Sequence, residues 1–205
     1  LLEVERQYGS QLTTLKKEII TLLDDRKSKQ ERITLINSFK DYTIDSVIHN
    51  GSPIAFSYND TLLICYFASA VFDADTDIVD VYYTGVPELD PSWGGFYFQT
   101  GYAYNLGVGF VSVPHNYGRV FHPCFDNFVE QATYEFNITT NGGKVSYCNG
   151  YMASEIFIGP SVTRKWVLSD PIPSYLACIA VNSYTHVNQQ YVSSVTTDTT
   201  PIMLI

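Results

Sequence analysis

The four histidines of this chain are the side chains best suited to metal binding, and their spacing argues against a hydrolytic metal site. A helical zinc site of the His-Glu-x-x-His type places two imidazoles one turn apart, with the glutamate as base. None of His49, His115, His122 and His186 is followed by glutamate, and no two of them lie four residues apart. We therefore expect this chain to contain no catalytic residue, no metal site and no cofactor.

A serine-hydrolase triad could be assembled from residues near the middle of the chain. Ser112, either His115 or His122, and Asp126 are the required residue types, with histidine acting as the base that activates serine. Their spacing does not require such a site, and the sequence lacks the Gly-x-Ser-x-Gly elbow that presents a nucleophilic serine. We favour a structural role, in which Arg119 pairs with Asp126 and fixes a turn.

The acidic segment Asp73-Ala-Asp75-Thr-Asp77 has the spacing of the start of a calcium-binding loop. An EF-hand loop also needs glycine at its sixth position and a bidentate glutamate at its twelfth. Ile78 and Thr84 occupy these positions. We therefore predict a solvated loop between two strands.

An aromatic segment runs from Trp93 to Asn105 and contains Phe96, Tyr97, Phe98, Tyr102 and Tyr104. Such a segment could line a sugar-binding or peptide-binding face. Aromatic residues at this density more often pack in a core or across neighbouring strands. We favour the packing interpretation.

The composition is that of a folded domain with an acidic surface. The 205 residues are 45% hydrophobic and carry a net charge of −9, which argues against nucleic acid as a partner, because phosphate binding requires basic stripes. No apolar run approaches the roughly 20 residues of a membrane span, and the acidic start of the chain shows no signal peptide. Four cysteines permit two disulfides, although we favour small buried side chains: Cys65, Cys124, Cys148 and Cys178.

The first thirty residues differ in pattern from the rest. Their apolar side chains recur at spacings of three and four, which predicts a helix over about residues 10 to 28. This helix could form a coiled coil or dock a partner, but we favour packing on the neighbouring domain, and a strand remains an alternative. We therefore divide the chain into a helical segment, residues 1–30, and a β-sandwich domain, residues 31–205. The side chains that define this helical spacing are the apolar residues Val4, Tyr8, Leu12, Leu15, Ile19 and Leu22, followed at the same spacing by Arg26.

From residue 31 onward the hydrophobic period is two, which is typical of strands. Asn50-Gly51 predicts a tight hairpin turn, and Gly142-Gly143 predicts another turn. Strands are predicted, among others, at residues 42–48, 107–113, 133–138 and 163–168. Many short strands separated by turn residues predict a mainly β fold, an antiparallel β-sandwich.

One stretch, Tyr117-Gly-Arg-Val-Phe-His-Pro-Cys-Phe-Asp-Asn-Phe-Val-Glu-Gln-Ala-Thr-Tyr-Glu-Phe136, is the most informative. It resembles the Ala-Arg-x-x-Phe-Pro-Cys-Phe-Asp-Glu-Pro signature in the N-terminal domain of aminopeptidase N-type zinc metallopeptidases. A Gly-Phe-Tyr strand before the signature and a tryptophan strand at Trp166 after it match the same family in order and spacing, so the resemblance runs from about Glu31 to Ile205. The signature residues, with structural roles, are Gly95, Phe96, Tyr97, Arg119, Pro123, Cys124, Phe125 and Asp126.

The resemblance implies a saddle-like N-terminal β domain without catalytic residues, which forms a wall of the active-site cleft and an interdomain surface. Its partner would be the catalytic domain of the same parent chain. That domain would hold the zinc and present the peptide substrate, and the parent would be secreted or periplasmic. A free-standing secreted binding or adhesion module is the alternative.

The chain departs from the family at the element that contacts the peptide's free amine. Relatives have glutamine and glutamate just before the signature arginine. Ser112 and Pro114 occupy these positions here, and Asn127-Phe128 replaces Glu-Pro after the signature aspartate. Serine is short and proline carries no charge, so Ser112 is only a weak candidate for substrate contact.

Overall fold

The computed structural model describes residues 32–36, 42–60, 62–68, 76–185, 187–196 and 198–204. The predicted helix in residues 1–30, Asp73 and Asp75 of the acidic segment, and His186 lie outside the described residues. The predicted fold class is confirmed, because the described chain is mainly β with antiparallel sheets. The strands are β1 Arg32–Ile36, β2 Thr43–His49, β3 Ser52–Pro53, β4 Ala55–Tyr58, β5 Leu62–Tyr66, β6 Val79–Thr84, β7 Gly94–Gln99, β8 Tyr102–Gly109, β9 Gln131–Asn141, β10 Val145–Cys148, β11 Tyr151–Ile158, β12 Ser161–Pro173, β13 Ile179–Asn182, β14 Val187–Val192 and β15 Thr199–Leu204.

The strands form two compact units. The first comprises the described residues up to Gly85 and contains two three-stranded sheets, ordered β1-β5-β4 and β3-β2-β6. Val47 of β2 packs with Leu63 and Cys65 of β5, so the core of this unit lies between its two sheets. The predicted hairpin at Asn50-Gly51 is confirmed, with φ values of 48° and 81° that suit a tight two-residue turn.

The second unit comprises the described residues from Val86 onward. It contains a four-stranded sheet ordered β10-β13-β8-β7, a three-stranded sheet ordered β11-β12-β9, and the β14-β15 hairpin. Phe136 of β9 and Trp166 of β12 pack with Tyr147 of β10. Side chains of the two larger sheets therefore share one core, which is the arrangement of a sandwich.

The strand predicted at residues 107–113 is wrong in its second half. Strand β8 ends at Gly109, and residues 110–115 form a loop. Backbone N–H groups of Val111 and Ser112 donate to the carboxylate of Asp90 instead of to a neighbouring strand. A side chain from a distant turn thus ends the strand, because it satisfies the donors that a sheet would otherwise use.

Candidate functional site

Asp126 is the centre of the loop from Asn116 to Asn127, which we call the signature loop. Its side chain is fully buried, and the N–H groups of Gly118 and Arg119 donate to it at 3.3 and 3.2 Å. The Arg119 guanidinium donates at 3.1 Å and the Ser174 hydroxyl at 2.6 Å. The predicted pairing of Arg119 with Asp126 is therefore present, within a larger network.

Arg119 ties the start of the signature loop together. Its Nη1 also donates to the backbone oxygen of Asn116 at 2.7 Å, and its guanidinium lies 5.1 Å from the centre of the Tyr117 ring. The Asn116 amide donates in turn to the backbone oxygen of Asp126. A charged side chain that is almost entirely buried and held by these contacts positions the backbone of the signature loop.

The cysteine and histidine of the signature loop lie in environments that suppress reactivity. Burial, with a smaller contribution from Asp126, raises the pKa of the Cys124 thiol to about 12, so the nucleophilic thiolate is not formed near neutral pH. Burial lowers the pKa of His122 to about 4. The His122 ring lies 4.4 Å from that of Phe121 and 6.0 Å from that of Tyr134, which is a packing role.

Ser112 and His115, two candidates for the possible serine triad, are each hydrogen-bonded to groups outside it. The Ser112 hydroxyl donates to Asp90 at 2.7 Å, and His115 Nδ1 donates to the backbone oxygen of Gly109 at 3.0 Å. Asp126 accepts from Ser174 and Arg119 as described above. The structural interpretation of these residues is therefore the one that fits the geometry.

Asp90 organises a second loop, and its importance was missed in the sequence. Its Oδ1 accepts from the N–H groups of Ser92 and Trp93 at 2.9 and 3.0 Å. Its Oδ2 accepts from Val111 N at 3.1 Å, Ser112 N at 2.8 Å and the Ser112 hydroxyl. Burial alone would raise the pKa of Asp90, but the hydrogen bonds from Ser112, Trp93 and Ser92 outweigh it and hold the pKa well below its usual range. Asp90-Pro-Ser is a typical turn sequence, so the local turn was visible in the sequence, but its distant partners were not.

Two glycines allow close approach of the backbone, one to this carboxylate and one to the neighbouring strand. A Cβ atom on Gly109 would lie 2.7 Å from Asp90 Oδ2. Gly94 has φ +123°, and a Cβ atom there would lie 1.9 Å from the backbone oxygen of Val108. Gly94 thus serves close packing of β7 on β8. A Cβ atom on Gly95 would lie 2.4 Å from the backbone oxygen of Glu88, so Gly95 serves close packing on the segment that precedes β7.

Residues 110–114 form a loop with exposed apolar side chains. Hydrogen bonds from Gly109 N to His115 O at 2.9 Å and from Phe110 N to Trp93 O at 2.9 Å fix its base. Phe110, Val111 and Val113 are 70%, 57% and 84% exposed. A pocket of about 300 Å³ lies beside it, lined by Trp93, Val108, Gly109, Phe110 and His115. We call this the aromatic pocket.

The Gly-Phe-Tyr segment of the resemblance lies on β7 and supports the second unit from inside. Phe96 is buried with Tyr117 and Val120 of the signature loop. The Tyr97 hydroxyl accepts from Gly94 N at 2.9 Å, and its ring stacks on Tyr104 at 4.9 Å. Most of the aromatic segment therefore packs as predicted. Pro123 and Phe125 lie in the signature loop, where the Phe125 side chain is half-exposed.

The part of the chain that the structure describes contains no group of three or more His, Cys, Asp or Glu side chains placed to hold a metal ion. Asp77, the last carboxylate of the acidic segment, is paired with His49 at 2.6 Å and with the Asn50 amide at 2.8 Å. None of the four cysteines forms a disulfide. No helix within the described residues is long and apolar enough to span a membrane.

Comparison with known proteins gives structural relatives only. No protein-family model and no curated protein matches the chain. Among solved structures, the M1 zinc metallopeptidase from Deinococcus radiodurans matches with a TM-score of 0.69 at 19% identity over 84% of this chain and 38% of that one. Legionella pneumophila aminopeptidase A, in complex with aspartic acid, matches with a TM-score of 0.65 at 17% identity over 84% of this chain and 19% of that one.

The chain has the fold of the N-terminal domain of M1 zinc metallopeptidases. Native yeast LTA4 hydrolase matches more distantly, with a TM-score of 0.57 at 17% identity over 78% of this chain and 24% of that one. The chain thus spans less than two fifths of the length of each of these relatives. The family resemblance seen in the signature is therefore matched by a likeness in three dimensions.

Proposed function

We propose that this chain is the non-catalytic N-terminal β domain of a zinc-dependent aminopeptidase-like protein, where it forms a wall of the active-site cleft and an interdomain surface. The main observation in favour of this proposal is that the structural match covers 84% of this chain but only 38% of the Deinococcus radiodurans enzyme. Zinc, the metal-bound water that attacks the peptide, and the groups that bind the substrate would belong to the catalytic domain of the parent chain.

The surface beside the signature loop supports an interdomain role. Phe125, Phe128, Val129 and Leu176 are 50%, 55%, 83% and 46% exposed, and Tyr175 packs edge-on against Phe128 at 5.2 Å. Exposed apolar side chains gathered on residues near one another in the fold mark a surface that another domain covers. We call these residues the signature surface.

The first test is the reading frame beyond Ile205. A His-Glu-x-x-His motif within the next few hundred codons supports a peptidase parent, whereas a stop codon supports the free-standing binding module. The second test uses the complete protein. We expect it to bind zinc and to release N-terminal residues from peptides. Replacing the glutamate of that motif, which is the base, should abolish peptide cleavage, and replacing its two histidines should abolish zinc binding as well.

The interdomain surface is tested by expressing this chain and the remainder of the parent separately and measuring their association. Phe128→Asp and Val129→Asp should weaken association, because each buries a carboxylate without a partner. Val195→Asp is the matched control, since Val195 is an equally exposed valine outside the signature surface. Equal binding by all three variants would show that the signature surface is not the interface.

A further inference from the structure

The aromatic pocket is a small concave site whose use the fold alone does not explain. Its lining is mostly apolar, and the one residue of the lining with a polar ring is His115. Trp93 and Phe110 are 52% and 70% exposed, which is unusual for large aromatic side chains beside a packed core. The volume of about 300 Å³ is at the lower limit for small-ligand sites.

The pocket is held in shape by groups that lie outside it. The backbone N–H of Trp93 is fixed by Asp90 Oδ1, and the Phe110 N–H donates to the backbone oxygen of Trp93. In the two residues that follow Phe110, the backbone N–H groups of Val111 and Ser112 donate to the same carboxylate. Both aromatic side chains therefore project from backbone anchored to a single buried group. A ligand would meet walls that require little ordering, which favours binding.

The charge of a ligand that fits the aromatic pocket can be inferred from the polar groups there that have no partner within the protein. Asp90 is the carboxylate that anchors the pocket, and both of its oxygens already accept hydrogen bonds, so it offers no site to a cation. No lysine or arginine lines the pocket, so an anion has no charged partner either. An uncharged, apolar ligand is the class that these walls favour.

His115 adds one directional preference. A carbonyl oxygen only accepts, so the hydrogen bond to Gly109 O places the proton of the neutral imidazole on Nδ1. Nε2 is then an acceptor, and the described part of the chain gives it no partner. A ligand that fits this edge carries an N–H group next to an apolar ring.

We propose that the aromatic pocket binds the aromatic side chain of a peptide, with a peptide N–H donating to His115 Nε2. Rings stacked or edge-on against Trp93 and Phe110 gain more than the area they bury. That the ligand is a peptide rests on the proposed function.

The intrinsic tryptophan fluorescence of the 205-residue chain can report ligand binding in the aromatic pocket. Its two tryptophans differ in environment, since Trp93 lines the pocket and Trp166 is buried in the core. Titration with N-acetyl-phenylalaninamide should change tryptophan emission in a saturable way, and the change should vanish in Trp93→Phe. N-acetyl-alaninamide, N-acetyl-lysinamide and N-acetyl-glutamic acid amide should each bind about tenfold more weakly or not at all.

Variants localise the response. Phe110→Ala should weaken binding about tenfold, as expected for the loss of one aromatic wall, and His115→Phe should weaken it while keeping the ring. Phe98→Ala is the matched control, because Phe98 is 63% exposed but lies outside the pocket. Indole N–H resonances give the same measurement by NMR and check that each variant is folded.

Three results would overturn the proposal. They are the absence of a saturable change up to the solubility limit, equal binding of the charged or alanine derivatives, and a Trp93 signal that depends on protein concentration alone, which would show that a second copy fills the pocket. These measurements need no catalytic domain. Failure here leaves the proposed function intact, and a missing downstream His-Glu-x-x-His motif would refute the proposed function while leaving pocket binding measurable.

Discussion

Replacement of Asp126 by alanine is the sharpest test of the structural role of the signature loop. The substitution removes the acceptor for two backbone N–H groups, for the Ser174 hydroxyl and for the Arg119 guanidinium. The Arg119 side chain is only 11% exposed, so its charge would remain buried without its carboxylate. Removing one partner of a buried ion pair typically costs about 3–5 kcal/mol.

The size of the expected effect can be set against the stability of a whole domain. A loss of about 3–5 kcal/mol is a large part of the roughly 5–15 kcal/mol that keeps a domain folded. For a chain of this size it corresponds to a fall in melting temperature of about 6–20 °C. Arg119→Ala should cost less, because the carboxylate then keeps the hydrogen bonds from two backbone N–H groups and from Ser174.

Tryptophan fluorescence is the appropriate assay, because Trp93 and Trp166 both lie in the second unit with Asp126. Thermal or urea unfolding followed at this signal reports that unit and not the first. Asp170→Ala is the matched control, since Asp170 is exposed on β12. If Asp126→Ala melts within the error of Asp170→Ala, the buried network does not hold the loop, and a ligand-binding role for Asp126 becomes the better explanation.

Three further predictions follow from single groups. Burial lowers the pKa of His122 to about 4, below its value of roughly 6.5 in the unfolded chain. The contribution of neutral His122 to the free energy of unfolding is therefore fully present above about pH 6.5 and is lost as the pH falls toward 4. Between about pH 7 and about pH 4, the free energy of unfolding of His122→Phe, measured with urea, should therefore fall less than that of the wild type. Gly94→Ala should destabilise far more than Gly101→Ala in thermal melts, because both have positive φ but only Gly94 meets backbone within 4 Å; equal melting temperatures would contradict the close-approach argument. The purified chain should carry no stoichiometric zinc by elemental analysis, and one equivalent bound through histidine or cysteine would overturn this expectation.

Features set by local chemistry were predictable from the sequence. The Asn50-Gly51 turn needs positive φ at both positions, which asparagine and glycine tolerate better than other residues. Strand β9 alternates buried and exposed positions around Phe136 and Thr140, so its register against β12 follows from one face being buried. The pairing of Arg119 with Asp126 was also predictable, because both lie in one short motif.

Features set by contacts between distant residues were not predictable in this way. Residues 107–113 alternate like a strand, and nothing within that segment shows that Val111 and Ser112 will donate to a side chain twenty-one and twenty-two residues earlier. Asp90 is one of 21 acidic residues in the chain. Its single local signal was the turn sequence that follows it, and that signal does not identify which carboxylate becomes buried.

Ser112 shows how a substituted position acquires a different role. At the position where the resembling family has a substrate-contacting glutamine, this chain has a hydroxyl that donates to Asp90 at 2.7 Å and a backbone N–H that donates to the same oxygen at 2.8 Å. A side chain committed to a buried carboxylate cannot also reach a peptide amine. If the proposed parent is an active peptidase, its catalytic domain must therefore anchor the amine with its own groups, or its substrates differ. In the proposed arrangement, the exposed side chains of Phe110 and Val113 would contribute apolar surface to the cleft.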